Sequence, residues 1–335
     1  MDKGATRNKH EHRDNPDILN INILIISANS FLRSVQHMLL FLLLAVVVDH
    51  ATSRCILSDT SEDCDMVIPT IMHQIWWQGA NDMAARADQG KDAMRNSPDW
   101  RAQFVPRWIH SWSVHHPAWE HRMWDETMII ELAQELGYHD FILSLPERIK
   151  KIDFARYMIL HKYGGVVLDV DFEAFKPIDQ VLRGSSVVLI EESENQSINC
   201  AWIASIPNHP LWIKVLNEIA LRQRSSPHNG VMYITGPRML TDVSMEWIIE
   251  EQQARLDNSS NSEDNDKIRI LRHATGENRL FYPYHADHMV DASNREKMSS
   301  ACSEMNNCAL RHPKSYAMHH FAATWYDEYA RQIGL

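Results

Sequence analysis

Beyond residue 66 the chain alternates between two hydrophobic periods. Short apolar runs at 68–76, 119–124, 166–168, 187–190 and 199–204 read as strands. Segments with apolar residues three and four apart lie between them and read as helices. Such alternation predicts an α/β domain. Its clearest unit is residues 150–177, KKIDFARYMILHKYGGVVLDVDFEAFKP. Phe154, Tyr157, Met158 and His161 fall at helical spacing, and Gly164-Gly165 supplies the residue type that closes a helix with a left-handed turn. Val166, Val167 and Leu168 are too short a run for another helix, so a buried strand follows and ends in Asp169-Val170-Asp171. Strand alternation then predicts both carboxylates on one side and Val170 on the other.

A charge at the end of an apolar strand is unfavourable unless something pairs with it, which marks Asp169 and Asp171 as a site. Two hard oxygen ligands at this spacing suit Mn²⁺ or Mg²⁺ shared with phosphate oxygens. The chain contains its own controls. Asp63-Cys64-Asp65 and Asp264-Asn265-Asp266 repeat the spacing within polar, acidic runs that no strand precedes, and they read as solvated loops.

Other side chains carry two readings each. Trp76, at the end of the first strand, is either core or a flat face for a nucleotide base. His73 is either a satisfied structural histidine or a donor contact. Asp125 precedes a helical pattern over 127–136 and reads as its N-cap. Phe104, Trp108, Ile109 and Trp112 predict an amphipathic helix, and His115-His116 after it reads as surface. Asp153 and Arg156, one helical turn apart, form at least an intrahelical ion pair. Gly236-Pro237-Arg238 opens a helix, while 81–98 and 256–267 are polar and loop-like. Near the end, Ser315 to Trp325 brings His319 and His320 together; alternation lets one of them face a metal, and His319 is the expected one.

The first fifty residues resemble targeting sequence. Residues 38–48 (MLLFLLLAVVV) are uninterruptedly apolar, and residues 31–37 extend them toward the ~20 that a bilayer helix needs. Lys3, Arg7, Lys9 and Arg13 precede the run, and Asp59, Glu62, Asp63 and Asp65 follow it. That asymmetry predicts a single-pass type II anchor at 1–50, a stem at 51–66 and a luminal catalytic domain at 67–335. Cleavage near residues 51–53 would instead leave a soluble luminal or secreted protein. Cys55, Cys64, Cys302 and Cys308 suit two disulfides of open pairing, with Cys200 left over, and Asn195 and Asn258 head glycosylation sequons. A formal charge of −11 and the lack of a basic stripe argue against nucleic acid as a partner.

The run Asp153-x-x-Arg156-Tyr157-x-x-Leu160-x-x-Tyr163-Gly164-Gly165-x-x-x-Asp169-x-Asp171 resembles the DXD glycosyltransferases of family 32, related to the yeast initiating α-1,6-mannosyltransferase. Ile68-Pro69-x-Ile71-x-His73-Gln74-Ile75-Trp76, His116-Pro117-x-Trp119-Glu120-x-x-x-Trp124-Asp125, Thr235-Gly236-Pro237 and His319-His320-Phe321-x-x-x-Trp325 agree in order. Val167 stands where many relatives carry tyrosine. The resemblance implies a GT-A-like nucleotide-diphospho-sugar transferase fold, a single mixed sheet flanked by helices. It implies a nucleotide-sugar donor, GDP-mannose first and UDP-galactose or a UDP-N-acetylhexosamine next, and a glycan or glycolipid acceptor in the Golgi. Trp76, Asp153, Arg156, Gly165 and Asp169 become the expected donor-binding residues, Asp169 and Asp171 the catalytic pair, and Asp169, Asp171 and His319 the expected Mn²⁺ or Mg²⁺ ligands.

Overall fold

The computed structural model describes residues 66–79, 105–192, 197–257, 267–283 and 307–321. The expected anchor, stem, sequons, control Asp-x-Asp pairs, 81–98 loop, Trp325 and Cys55, Cys64 and Cys302 lie outside them. Among the described residues no helix is long and apolar enough to cross a membrane. Cys200 is free and buried, whereas Cys308 is disulfide-bonded.

The first strand, β1 (Ile71–Ile75), is followed by α1 (Val105–His115), β2 (Glu120–Trp124), α2 (Glu126–Glu135), α3 (His139–Ser144) and α4 (Arg148–Tyr163). Next come β3 (Gly165–Leu168), β4 (Phe172–Ala174), α5 (Asp179–Leu182), β5 (Val187–Ile190) and β6 (Trp202–Ser205). The remainder is α6 (Pro210–Ser225), α7 (Val231–Ile234), α8 (Pro237–Leu256), β7 (Ile268–Leu271), a 3-10 turn (Glu277–Leu280), α9 (Asn307–Arg311) and β8 (Ala317–His319). The main sheet is mixed, in the order β2-β1-β3-β6-β5-β7, with β6 antiparallel to both neighbours. This is the expected α/β layout of a mixed sheet between helices. A two-stranded ribbon, β4 with β8, adds to it and was not anticipated.

Both faces of the sheet are covered, which is why its strands read as continuous apolar runs. Val167, Val187, Leu189 and Ile203 point to one face, where α2, α4, α6 and α8 pack. Val166, Leu168, Val188, Ile190 and Trp202 point to the other, with Trp112 of α1, α5 and the ribbon. Helix α4 is buried on nearly every side over residues 153–160, so its pattern is that of a core helix rather than an amphipathic one. The reversal after it needs two glycines. Gly164 and Gly165 have φ of +63° and +79°, and a Cβ on Gly165 would come within 2.4 Å of the Ile71 carbonyl oxygen.

Several expectations change at this level. His116 is not a surface residue: it is buried, its Nδ1 lies 3.1 Å from Trp112 O, and its Nε2 accepts from Ile178 N at 3.0 Å. Pairing to both a helix end and a distant loop is what draws it inward. Asp125 caps α2, accepting from Met128 N at 3.0 Å. The strand expected at 199–204 begins at Trp202, because Asn199 Oδ1 takes the Ala201 N–H in a turn.

His73 is a structural histidine. Trp124 Nε1 donates to its Nδ1 at 3.1 Å, and burial, reinforced by the Arg122 charge, lowers its pKa to about 3. A histidine that takes a proton more readily unfolded than folded supports the fold above pH 6.5, and that support is lost as pH falls toward 3. Roughly 3 kcal/mol should be withdrawn by pH 4.5. Urea midpoints between pH 7.5 and 4.5 should therefore fall less steeply for His73→Asn, whose amide oxygen can still accept from Trp124. Equal slopes would contradict this assignment.

Candidate metal and donor site

At the C-terminal end of β3 the chain leaves the main sheet through a tight turn. Asp169 N donates to Ala201 O at 2.8 Å, continuing the β3–β6 ladder, and Phe172 N donates back to Asp169 O at 3.2 Å. Asp169-Val170-Asp171 therefore occupies the turn itself and not a strand. The carboxylates converge because the turn folds them together, which corrects the alternation argument. Asp171 already belongs to the ribbon: its carbonyl accepts from His320 N at 2.9 Å, and the register pairs Phe172 with His319. The third group comes from that pairing. His319 Nε2 lies 3.1 Å from Asp171 Oδ1, and ligand-capable atoms of Asp169, Asp171 and His319 all lie within 4.8 Å of one another.

These residues suit a divalent ion. Adjacent ligands on an octahedral ion with bonds of about 2.1 Å are separated by about 3 Å, matching the 3.1 Å between His319 Nε2 and Asp171 Oδ1. Two carboxylates with one imidazole offer oxygen and nitrogen donors and no thiolate. His320 faces the other way, with Nε2 3.0 Å from Glu173 Oε2 and its ring stacked on Trp108 at 4.0 Å.

Arg156 stands behind the turn. Its guanidinium pairs with Asp169 Oδ1, lies 3.5 Å from Asp153 Oδ1, and donates to Cys200 O at 3.0 Å. Asp153 also accepts from the Thr235 hydroxyl at 2.8 Å, while Tyr157 OH donates to Thr235 O at 2.9 Å. Burial lifts the Asp153 carboxyl to about 6 against the opposing pull of Arg156. Burial and the neighbouring Asp171 charge raise Asp169 while Arg156 lowers it, and the 28% exposure of the Asp169 side chain tempers the first effect. For His319, burial works against the cation, but Asp171 and Asp169 outweigh it and raise the imidazole.

The expected site residues divide by position. Asp153, Arg156, Asp169, Asp171 and His319 come together. Trp76 lies alongside, buried with Trp108 and packed by Ile109, Met123 and Val170 of the turn. Gly165 does not join them: it begins β3, about 13 Å of strand from the aspartates, and the collision of a Cβ with the Ile71 carbonyl explains its identity. Thr235 and Cys200 belong to the cluster and were missed in that role. The Thr-Gly-Pro triplet and the left-over cysteine were visible, but nothing local ties either to Asp153 across 82 and 47 residues.

Residues 104–188 match the family model described as the glycosyltransferase sugar-binding region containing DXD motif. The chain carries that sugar-binding region. It holds Asp153, Arg156, Asp169 and Asp171, whereas Trp76, Thr235 and His319 lie outside it. Inositol phosphoceramide mannosyltransferase 1 of Schizosaccharomyces pombe is 29% identical over 178 residues, 49% of this chain and 48% of that protein. The initiation-specific alpha-1,6-mannosyltransferase of the same yeast is 22% identical over 305 residues, 81% of this chain and 70% of its own. The chain thus spans about half the length of the first of these relatives. Among solved structures, the PaToxG glycosyltransferase overlaps 75% of this chain and 88% of its own, with 15% identity and a TM-score of 0.38.

Removing one partner of a buried ion pair leaves an uncompensated charge, at about 3–5 kcal/mol. Arg156→Met strands Asp153 and Asp169 together, whereas Asp153→Asn keeps an acceptor for Thr235 and leaves Arg156 paired with Asp169. Urea denaturation at neutral pH should show the larger loss for Arg156→Met. Equal losses would mean that Arg156 is not the compensating charge of the sugar-binding region.

Proposed function

We propose that this chain is a metal-dependent retaining glycosyltransferase that moves a hexose from a nucleotide-sugar, GDP-mannose first, to a glycan or glycolipid acceptor. The observation that carries the reading is the convergence of Asp169, Asp171 and His319 at the end of the strand inside the DXD sugar-binding region. Mannosyltransferases among its relatives support the choice of sugar. A Golgi membrane location with a single N-terminal anchor rests on the apolar and charge pattern of residues 1–50.

When bound, the divalent ion neutralises charge that develops on the nucleoside diphosphate leaving group. Asp169, Asp171 and His319 would hold it, and the chain's own contribution is their pre-set geometry. Arg156 commits its guanidinium to Asp169, Asp153 and the Cys200 carbonyl, so it orients Asp169 and balances its charge. Trp76 and Trp108 cover the side of the turn that carries Val170 and keep water from that flank. Retention follows from front-face attack by the acceptor hydroxyl. Cys200 is not a covalent nucleophile in this scheme, because burial holds its thiol well above its ordinary pKa and it stays protonated.

Binding of GDP and UDP to the purified chain, with and without Mn²⁺, tests the reading. GDP should bind only with Mn²⁺, and Asp171→Ala should weaken that binding by at least about tenfold. Metal-dependent binding of UDP instead would change the donor to a UDP-hexose. Failure of both nucleotides under every metal condition would replace the enzyme with a scaffold that retains the fold.

A further inference from the structure

Phe321 has φ of +47°, in the left-handed region that favours glycine and that a bulky aromatic residue rarely enters. Asn208, also at positive φ, is an ordinary case, since asparagine tolerates that region in turns. Strain of this sort persists where the surroundings over-determine it, and it clusters at ligand clamps. The surroundings here are specific. His320 N donates to Asp171 O at 2.9 Å, the His320 ring stacks on Trp108, and its Nε2 meets Glu173, so the chain is pinned immediately before Phe321. Because φ turns the Cα–Cβ bond about that pinned peptide, the left-handed backbone and the place of the aromatic ring against His319 are set together.

The ring of Phe321 lies 4.2 Å from that of His319 at 55°. Phe172 stacks on His319 at 4.5 Å and 15°, and Tyr282 meets it edge-on at 5.8 Å. A metal-ligating histidine is normally oriented by a hydrogen bond from its second nitrogen. His319 Nδ1 is buried and has no such partner among the described residues. Something else must fix the plane of the imidazole that brings Nε2 to Asp171.

We propose that Phe321, through its left-handed backbone, is the positioning residue that fixes the His319 ring and thereby sets the ion affinity of the Asp169–Asp171–His319 cluster. The aromatic clamp takes the place of the missing hydrogen bond. This inference rests on the reading of that cluster as a divalent-ion site.

The test compares Phe321→Gly, Phe321→Leu and Phe321→Tyr with the parent chain. Mn²⁺ affinity is read from the electron paramagnetic resonance signal of the free ion. Thermal midpoints and the His319 ring nitrogen shifts are read from the metal-free proteins. Glycine adopts φ of +47° without strain, which offsets part of the lost ring packing, so Phe321→Gly should lose no more metal-free midpoint than Phe321→Leu while its Mn²⁺ affinity falls about tenfold or more. The His319 nitrogen signals should broaden or shift in Phe321→Gly and Phe321→Leu, and Phe321→Tyr should restore both readouts. Parent-like Mn²⁺ affinity in Phe321→Gly would overturn the inference while leaving the metal site intact. Affinity losses that merely track lost stability across the series would also overturn it, as those of a packing residue. Absence of Mn²⁺ binding by the parent chain would overturn the metal reading and this inference with it.

Discussion

Three carboxylates and an imidazole meet at the end of one strand, and such a concentration of charge is stable in a partly buried place only if a cation compensates it. The Arg156 guanidinium is that cation, reaching Asp153 on its own helix and Asp169 beyond the glycine reversal. Much of the fold serves to deliver it. Helix α4 runs through the core, the Gly164-Gly165 turn lays β3 directly beside β1, and the Cys200 carbonyl takes a further guanidinium proton. Arginine suits the task because its planar fork satisfies several acceptors at once while staying charged.

The turn at 169–172 is the second organising feature. It hands the chain from the six-stranded sheet to the two-stranded ribbon, so one aspartate is anchored to each. An ion held there would clasp the two sheets together. The ribbon supplies the imidazole, and Trp76, just after β1, with Trp108 of α1 closes one flank of the turn. Under the proposed function, a divalent ion held in this cluster would be what lets an acidic chain take an anionic donor.

How far the sequence alone reached depended on the distance between the residues involved. The strand 166–168, the helix before it and the glycine stop were readable because apolar period and glycine position are properties of neighbouring residues. So was the Asp125 cap, whose bond to Met128 spans a single helical turn. Alternation limited the third group to one of His319 and His320, and the ribbon register that pairs Phe172 with His319 decided between them. His116 was misplaced because its partner at Ile178 lies 62 residues away.

By itself the sequence determined the α/β class and the buried strand with acidic residues after it, since these depend on local periodicity and on which side-chain atoms are present. Tertiary structure decided the rest. It put the aspartates in a turn rather than on a strand, joined Arg156 to Asp169 and Thr235 to Asp153, left Gly165 at the far end of β3, and bent Phe321 into a left-handed conformation against His319. Each of those outcomes is set by a contact between segments distant in the chain, and the free energy of such a contact appears only once the sheet and ribbon have brought the segments together.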